Sequence, residues 1–230
     1  MTPMTLLALP VVSIAITLAT YTVGLKLHLR WRWIPPILVA AAPIIGMLLL
    51  THESFAAYNR GGAWLNWLLG PGTVALAIPM YRNGLALKPS LPRLAIVVFA
   101  GSVVSMISAG LTCWLLGAPR AVVLSTLPKS VTTPIAIEIS SQLGGIPAIT
   151  TAIVVITGVI GASIGIPFLR LLRVGSARAI GAAIGTSSHG VGTASLVRRS
   201  EREAAVSSWA MAASGFFTSF LAVLVKLFLH

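Results

Sequence analysis

The chain has 230 residues, 57% of them hydrophobic and only 9% charged, where a soluble domain carries roughly 25% charged residues. That excludes an ordinary soluble globular protein. At about 20 apolar residues per spanning helix there is room for about six to eight membrane passes and no separate soluble domain. The net charge of +12 does not point to nucleic acid, because the cations fall in short loops between apolar runs. The positive-inside rule places such loops against anionic lipid headgroups on the cytoplasmic side. The single cysteine, Cys113, excludes an intrachain disulfide and a cysteine metal cluster and reads as a packed thiol.

The first span is predicted over residues 4–24, retained rather than cleaved, since no basic stretch precedes it and no small-residue cleavage site follows. Lys26, Arg30 and Arg32 come next, with Trp31 and Trp33 as interfacial anchors, in a cytoplasmic loop that puts the N-terminus outside. A second span covers residues 34–50, and residues 52–63 form an outer loop with Glu53 and Arg60. The third span, residues 64–81, is predicted to break at Gly70-Pro71-Gly72, where proline removes a backbone donor. Arg82, Lys88 and Arg93 make the next cytoplasmic loop, residues 94–116 a fourth span, and Gly117-Ala118-Pro119-Arg120 an outer turn.

Residues 121–143 are polar for a span. They contain Pro128-Lys129-Ser130-Val131-Thr132-Thr133-Pro134 and Glu138. If they cross, the next apolar run, 146–169, returns outward and leaves Arg170, Arg173 and Arg178 outside. If they dip in and return, those arginines are cytoplasmic, as the charge rule prefers. Two arms of about ten residues, about 15 Å each, reach the midplane. By the same logic residues 179–200, with Thr186-Ser187-Ser188-His189-Gly190-Val191-Gly192-Thr193, dip from the cytoplasm, and a last span covers 204–228. The fold predicted is therefore an all-α polytopic membrane protein. It has about six spanning helices plus two inverted re-entrant, broken-helix segments meeting near the midplane; eight spans is the alternative. As a single domain it divides into an N-terminal half, 1–117, and two dip-plus-span units, 120–169 and 178–228.

A weak internal repeat agrees with this division. Sliding the chain by 57 residues places Ser130 on Ser187, Ala148 on Ala205, Thr150 and Thr151 on Ser207 and Ser208, and Gly158 on Gly215. A dip adds no crossing and a span adds one, so the two units are inverted, the signature of secondary transporters.

Non-helical chain persists in lipid only where it is buried or lines a cavity. Two helix N-termini at the dip tips, one starting near Thr133-Pro134 and one at Gly190-Val191-Gly192-Thr193, would suit a carboxylate or other small anion. Lys129 is a candidate partner for that anion, or else pairs with Glu138. Glu138, the acid inside an apolar segment, and His189 are candidates for proton coupling; Glu138 is expected to be buried one or two turns behind the tips. A histidine bonded to a backbone carbonyl is the structural alternative for His189. Ser130, Thr132, Thr133, Ser187, Ser188, Gly190 and Thr193 either contact substrate or satisfy freed backbone groups. No HExxH, Walker loop, zinc set or aspartate is present, so neither an enzyme nor a cofactor or metal is expected.

Leu69-Gly70-Pro71-Gly72-Thr73-Val74, Pro128-Lys129-Ser130-Val131-Thr132-Thr133-Pro134-Ile135-Ala136, Gly144-Gly145-Ile146-Pro147-Ala148 and Ser188-His189-Gly190-Val191-Gly192-Thr193-Ala194 resemble runs of the LrgB/CidB family in order and spacing. The resemblance covers essentially the whole chain. It implies a multi-pass protein of the bacterial inner (cytoplasmic) membrane that works with a small LrgA/CidA-like membrane partner, and it leaves homo-oligomerisation open. It implies one of two functions. The first is carriage of small monocarboxylates of the pyruvate, glycolate or glycerate class, as in the related plastid translocator of plants. The second is antiholin-like regulation of murein hydrolase activity and lysis. Arg198, Arg199 and Arg202 make the stretch after the last motif more basic than the family pattern leads one to expect.

Overall fold

A computed structural model describes residues 9–31 and 36–229. Regular structure among the described residues is helical, as an apolar chain that must satisfy its own backbone requires. Among the described residues four helical stretches are long and apolar enough to cross a membrane: Pro10–Arg30, Gly84–Leu115, Pro147–Leu171 and Glu201–Phe228. The protein is an all-α membrane protein. The chain separates into two compact units, residues 1–75 and 76–230.

In the first unit, α1 (Pro10–Arg30) packs on α2 (Pro36–Thr51) and on α3 (Phe55–Trp67), and α4 (Leu69–Ala75) follows. Helix α1 begins later than the predicted span and ends later, carrying Lys26 and Arg30 on the helix itself. Residues 4–8, like Arg32 and Trp33, lie outside the described residues. The predicted outer loop 52–63 is largely helical instead. Ser54 accepts a bond from the Ala57 amide at 3.2 Å and starts α3. Tyr58 then anchors the helix through a 2.6 Å bond between its hydroxyl and Thr17 Oγ1. The expected break at Gly70-Pro71-Gly72 falls to either side, at Leu68 and Leu76. Pro71 is third in α4, a first-turn position where its missing donor has no helical partner to lose.

The second unit begins with two short helices, α5 (Ala77–Arg82) and α6 (Gly84–Leu87), and a 3-10 turn, Lys88–Ser90. These lead into α7 (Leu91–Leu115), so the expected loop around Lys88 is a series of helical turns. Helix α8 (Arg120–Thr126) and helix α9 (Thr133–Leu143) flank a turn at 127–132. The long helices α10 (Pro147–Leu171) and α12 (Glu201–Leu229) enclose α11 (Ala177–Val197) in sequence.

Contacts show that the 121–143 segment returns to the side it came from. The Ile146 amide, at the start of α10, donates to Ser125 Oγ near the end of α8 at 2.7 Å. Ser140 Oγ lies 2.7 Å from Thr150 Oγ1. Deeper in, Val131 and Ala136 pack against Val154. Proline at 128 and a β-region Thr132 (φ −63°, ψ 146°) stop α8 and restart the chain as α9, with Pro134 in the first turn. Gly144, at φ +82°, closes α9 in the left-handed conformation that glycine adopts without cost.

The second segment reverses at one residue. His189 has φ 41° and ψ −140°, so α11 is two arms joined there. The outgoing arm packs on α10 and α12, and the returning arm brings Leu196 back against Ile180 and Ile184, beside Leu169. The two dips therefore enter from opposite ends of α10. The repeat marks the same point in both. Under the 57-residue shift Thr133 falls on Gly190, and these residues begin the two returning arms. At the end where the second dip begins lie Arg82, Lys88, Arg93, Arg170, Arg173, Arg178, Arg198, Arg199 and Arg202.

Candidate functional site

The two dip tips converge on one turn of α10. Val131 and Ala136 pack on the Val154 side chain, and His189 Nε2 lies 2.9 Å from the Val154 carbonyl oxygen. On α7 they sit about one turn apart. Ser130 Oγ is 2.7 Å from Ser105 Oγ, while a side chain at Gly101 would press on Thr186. The tips thus meet through shared neighbours rather than through a hydrogen bond to each other among the described residues.

The first tip holds Lys129 and Ser130. The half-buried Lys129 ammonium donates to Ser105 Oγ at 3.2 Å and to Ser130 Oγ at 3.1 Å. The described ion pairs are Arg82 with Glu201 and Arg199 with Glu203, so the alternative pairing of Lys129 with Glu138 is not made. Thr132 and Thr133 are half-buried at the start of α9, where first-turn amides precede the first helical bond.

Glu138 is not buried, contrary to expectation. It is exposed and accepts a 2.8 Å bond from Gln142 Nε2. The buried face of α9 is Ala136, Ile139, Ser140 and Leu143, a helical stripe that Glu138 falls outside.

The second tip is more tightly packed. Ser188, His189 and Thr193 are buried, Gly190 is half-buried and Ser187 is exposed. Ser187 and Ser188 hydroxyls are 2.9 Å apart. Thr193 Oγ1 donates to the His189 carbonyl at 2.7 Å and lies 2.8 Å from Ser207 Oγ on α12. The His189 ring sits where a side chain at Gly158 would be, within 2.7 Å of the Cβ position. Its bond to a backbone carbonyl matches the structural alternative for this residue.

Sequence reasoning missed Ser105 and Ser207, which complete the two tips from the spans. A hydroxyl in an apolar helix ordinarily bonds the carbonyl four residues back, so neither residue stands out in an apolar run. Only the repeat, which aligns Thr150 with Ser207, carried a signal for one of them. Among the described residues a cavity of about 440 Å³ lies between α9 and the far end of α12, lined by Glu138, Gln142, Ser219 and Lys226, and one of about 590 Å³ lies at the arginine-rich end. Neither lies between the tips.

Paired re-entrant segments of opposite orientation, inserted among long apolar helices, define a polytopic membrane protein. The chain belongs to the LrgB-like family, whose model matches residues 17–227. It is 36% identical to YxaC of Bacillus subtilis over 223 residues, covering 96% of each chain. It is 35% identical to YwbG of the same organism over 210 residues, covering 90% of this chain and 93% of that one. It is also 35% identical to the antiholin-like protein LrgB of Bacillus cereus over 212 residues, covering 91% of this chain and 92% of that one. No solved structure matches the chain.

Proposed function

We propose that this protein is a secondary carrier of small monocarboxylates, of the pyruvate, glycolate or glycerate class, in the bacterial inner membrane. It acts there with a separate LrgA/CidA-like partner and is neither an enzyme nor a cofactor protein. The observation that carries the reading is Lys129. It is a cation in a re-entrant tip whose bonds go to two neutral hydroxyls, Ser105 and Ser130, with no carboxylate in ion-pair range among the described residues. A cation at membrane depth is costly unless it is paired, and an anionic substrate supplies the missing charge. The α9 N-terminus, with Thr132 and Thr133, adds amides and hydroxyls beside it. The second tip, Ser187 to Thr193, forms the opposing wall, which alternating access would rock against the first.

Uptake of pyruvate and glycolate into proteoliposomes, with and without the partner, tests this. Uptake above that of empty vesicles, lost in a folded Lys129→Ala variant, is the expected result. No uptake in either preparation would sink the carrier reading, and unchanged uptake in the variant would remove Lys129 from it.

The name of the Bacillus cereus relative favours a second reading, an antiholin-like regulator of murein hydrolase activity that works through its partner without transport. A deletion strain with altered lysis, restored by a His189→Ala, Thr133→Ala double variant, would favour that reading.

A further inference from the structure

We infer that the cavity at the arginine-rich end of the second unit is a binding site for the headgroup of an anionic phospholipid. The cavity, about 590 Å³, is formed where the α5–α6 region meets the first turns of α11 and α12. Arg178 and Arg202 line it from different helices, and Ser176, the α11 cap, lines it as well.

Charge balance around the cavity is uneven. Of the acids nearby, Glu201 pairs with Arg82 at 3.8 Å and Glu203 with Arg199 at 2.9 Å. Among the described residues Arg178 and Arg202 have no carboxylate in ion-pair range. Two arginines that line one cavity without a carboxylate partner among the described residues ask for an anion with several oxygens, and a phosphate offers them.

The rest of the lining separates a lipid from a free anion. Val206 lies one turn beyond Arg202 on α12, and with Leu87 it forms an apolar floor to the cavity. The lining therefore passes from cationic to apolar along the direction of α12, which leads from this end into the apolar span. A phosphodiester followed by glycerol and acyl chain has the same gradient. Inorganic phosphate has no use for the floor. The abundance of arginine at this end places the site at the cytoplasmic leaflet, where anionic lipids are found. The inference is independent of what, if anything, the dip tips carry.

The test uses the full-length protein in phosphatidylcholine vesicles, with spin-labelled phosphatidylglycerol or spin-labelled phosphatidylcholine as probe. Electron spin resonance reads the protein-restricted fraction of each. The wild type should favour phosphatidylglycerol by about fivefold or more. Arg178→Gln with Arg202→Gln should bring the ratio close to unity, and each single change should lower it. Arg170→Gln with Arg173→Gln, which removes equal charge outside the cavity, should keep most of it. The single variants keep the test valid if the double variant does not fold. No preference in the wild type, or an undiminished preference in the folded cavity variants, would overturn the site. Equal loss in the Arg170/Arg173 variant would reduce it to general surface charge. Displacement of the labelled lipid by inorganic phosphate, but not by chloride at matched ionic strength, would assign the cavity to soluble anions and overturn the lipid.

Discussion

Lys129 Nζ lies 3.2 Å from Ser105 Oγ, so the one ammonium at the dip tips is steadied by a residue of α7. Ser105 Oγ is also 2.7 Å from Ser130 Oγ. The three groups form a small polar triangle between a long helix and a turn. Ser105→Ala removes the corner on α7 and leaves the charge in place, held by Ser130 alone. A hydrogen bond to a charged group contributes about 1.5–3 kcal/mol, part of which is lost here. For a carrier with Lys129 in its site, KM for glycolate should rise roughly fivefold, with the fold intact by thermal unfolding. The concentration dependence of uptake in proteoliposomes checks this; an unchanged KM would mean that Ser105 does not position the ammonium.

His189 adopts φ 41°, ψ −140° in the middle of α11, a region that side-chain-bearing residues avoid at a cost of about 1–3 kcal/mol. The ring bond to the Val154 carbonyl and the Thr193 hydroxyl on the His189 carbonyl hold it there. His189→Ala loses the ring's packing and keeps the strain. His189→Gly loses the same ring and releases the strain. At an ordinary helical position glycine is about 0.5–1 kcal/mol worse than alanine. Here the order should invert, with the glycine variant more stable by about 1 kcal/mol. Thermal unfolding of both variants in detergent gives the answer, and alanine ranking above glycine would show that the observed reversal is not the native one.

The close approach of α11 and α12 rests on Gly185. A Cβ there would collide with the Ser207 carbonyl oxygen and come within 2.9 Å of the Ala210 Cβ. Both obstacles are fixed to the α12 backbone, so the helices must part to admit a methyl group. Overpacking of this kind costs about 1–3 kcal/mol. Gly185→Ala should lower the unfolding temperature measurably. Gly46→Ala, on α2 with nothing within 4 Å of its Cβ position, should be neutral or slightly stabilising. A Gly185 variant as stable as the wild type would count against the packing of these helices.

The re-entrant character of both polar segments was legible because arginines are expensive to misplace. Arg170, Arg173 and Arg178 decided the topology from sequence, and Ser125, bonded to the start of α10, has the same consequence in the structure. The dip tips were legible too, since Pro128, Pro134 and the glycines around His189 are poor helix residues in the middle of apolar runs. The break near Gly70 was misplaced because a proline in a first turn ends nothing. Glu138 was misplaced because hydrophobicity averaged over a segment does not say which side of the helix an acid occupies, whereas the Ala136, Ile139, Ser140 and Leu143 stripe does. Ser105 had no sequence signal of its own and Ser207 had only the repeat, both being ordinary hydroxyls whose partners lie on other elements.

Thr150 and Ser207 occupy equivalent places in the repeat, and each ties a returning arm to the span that follows it. Thr150 Oγ1 lies 2.7 Å from Ser140 Oγ on α9 and 3.1 Å from the Ser125 carbonyl on α8, so one hydroxyl gathers three segments. Among the described residues Ser207 Oγ meets only Thr193 Oγ1 of α11, and Thr193 keeps its bond to the His189 carbonyl without it. Thr150→Val preserves shape but leaves the fully buried Ser140 hydroxyl without this partner, a loss of about 1–3 kcal/mol. Ser207→Ala strands no comparable group and should cost about 1 kcal/mol or less. The valine variant should therefore unfold at the lower temperature in detergent, even though it deletes no volume. Equal effects would mean that the two anchors are interchangeable and that the first dip has no special dependence on Thr150.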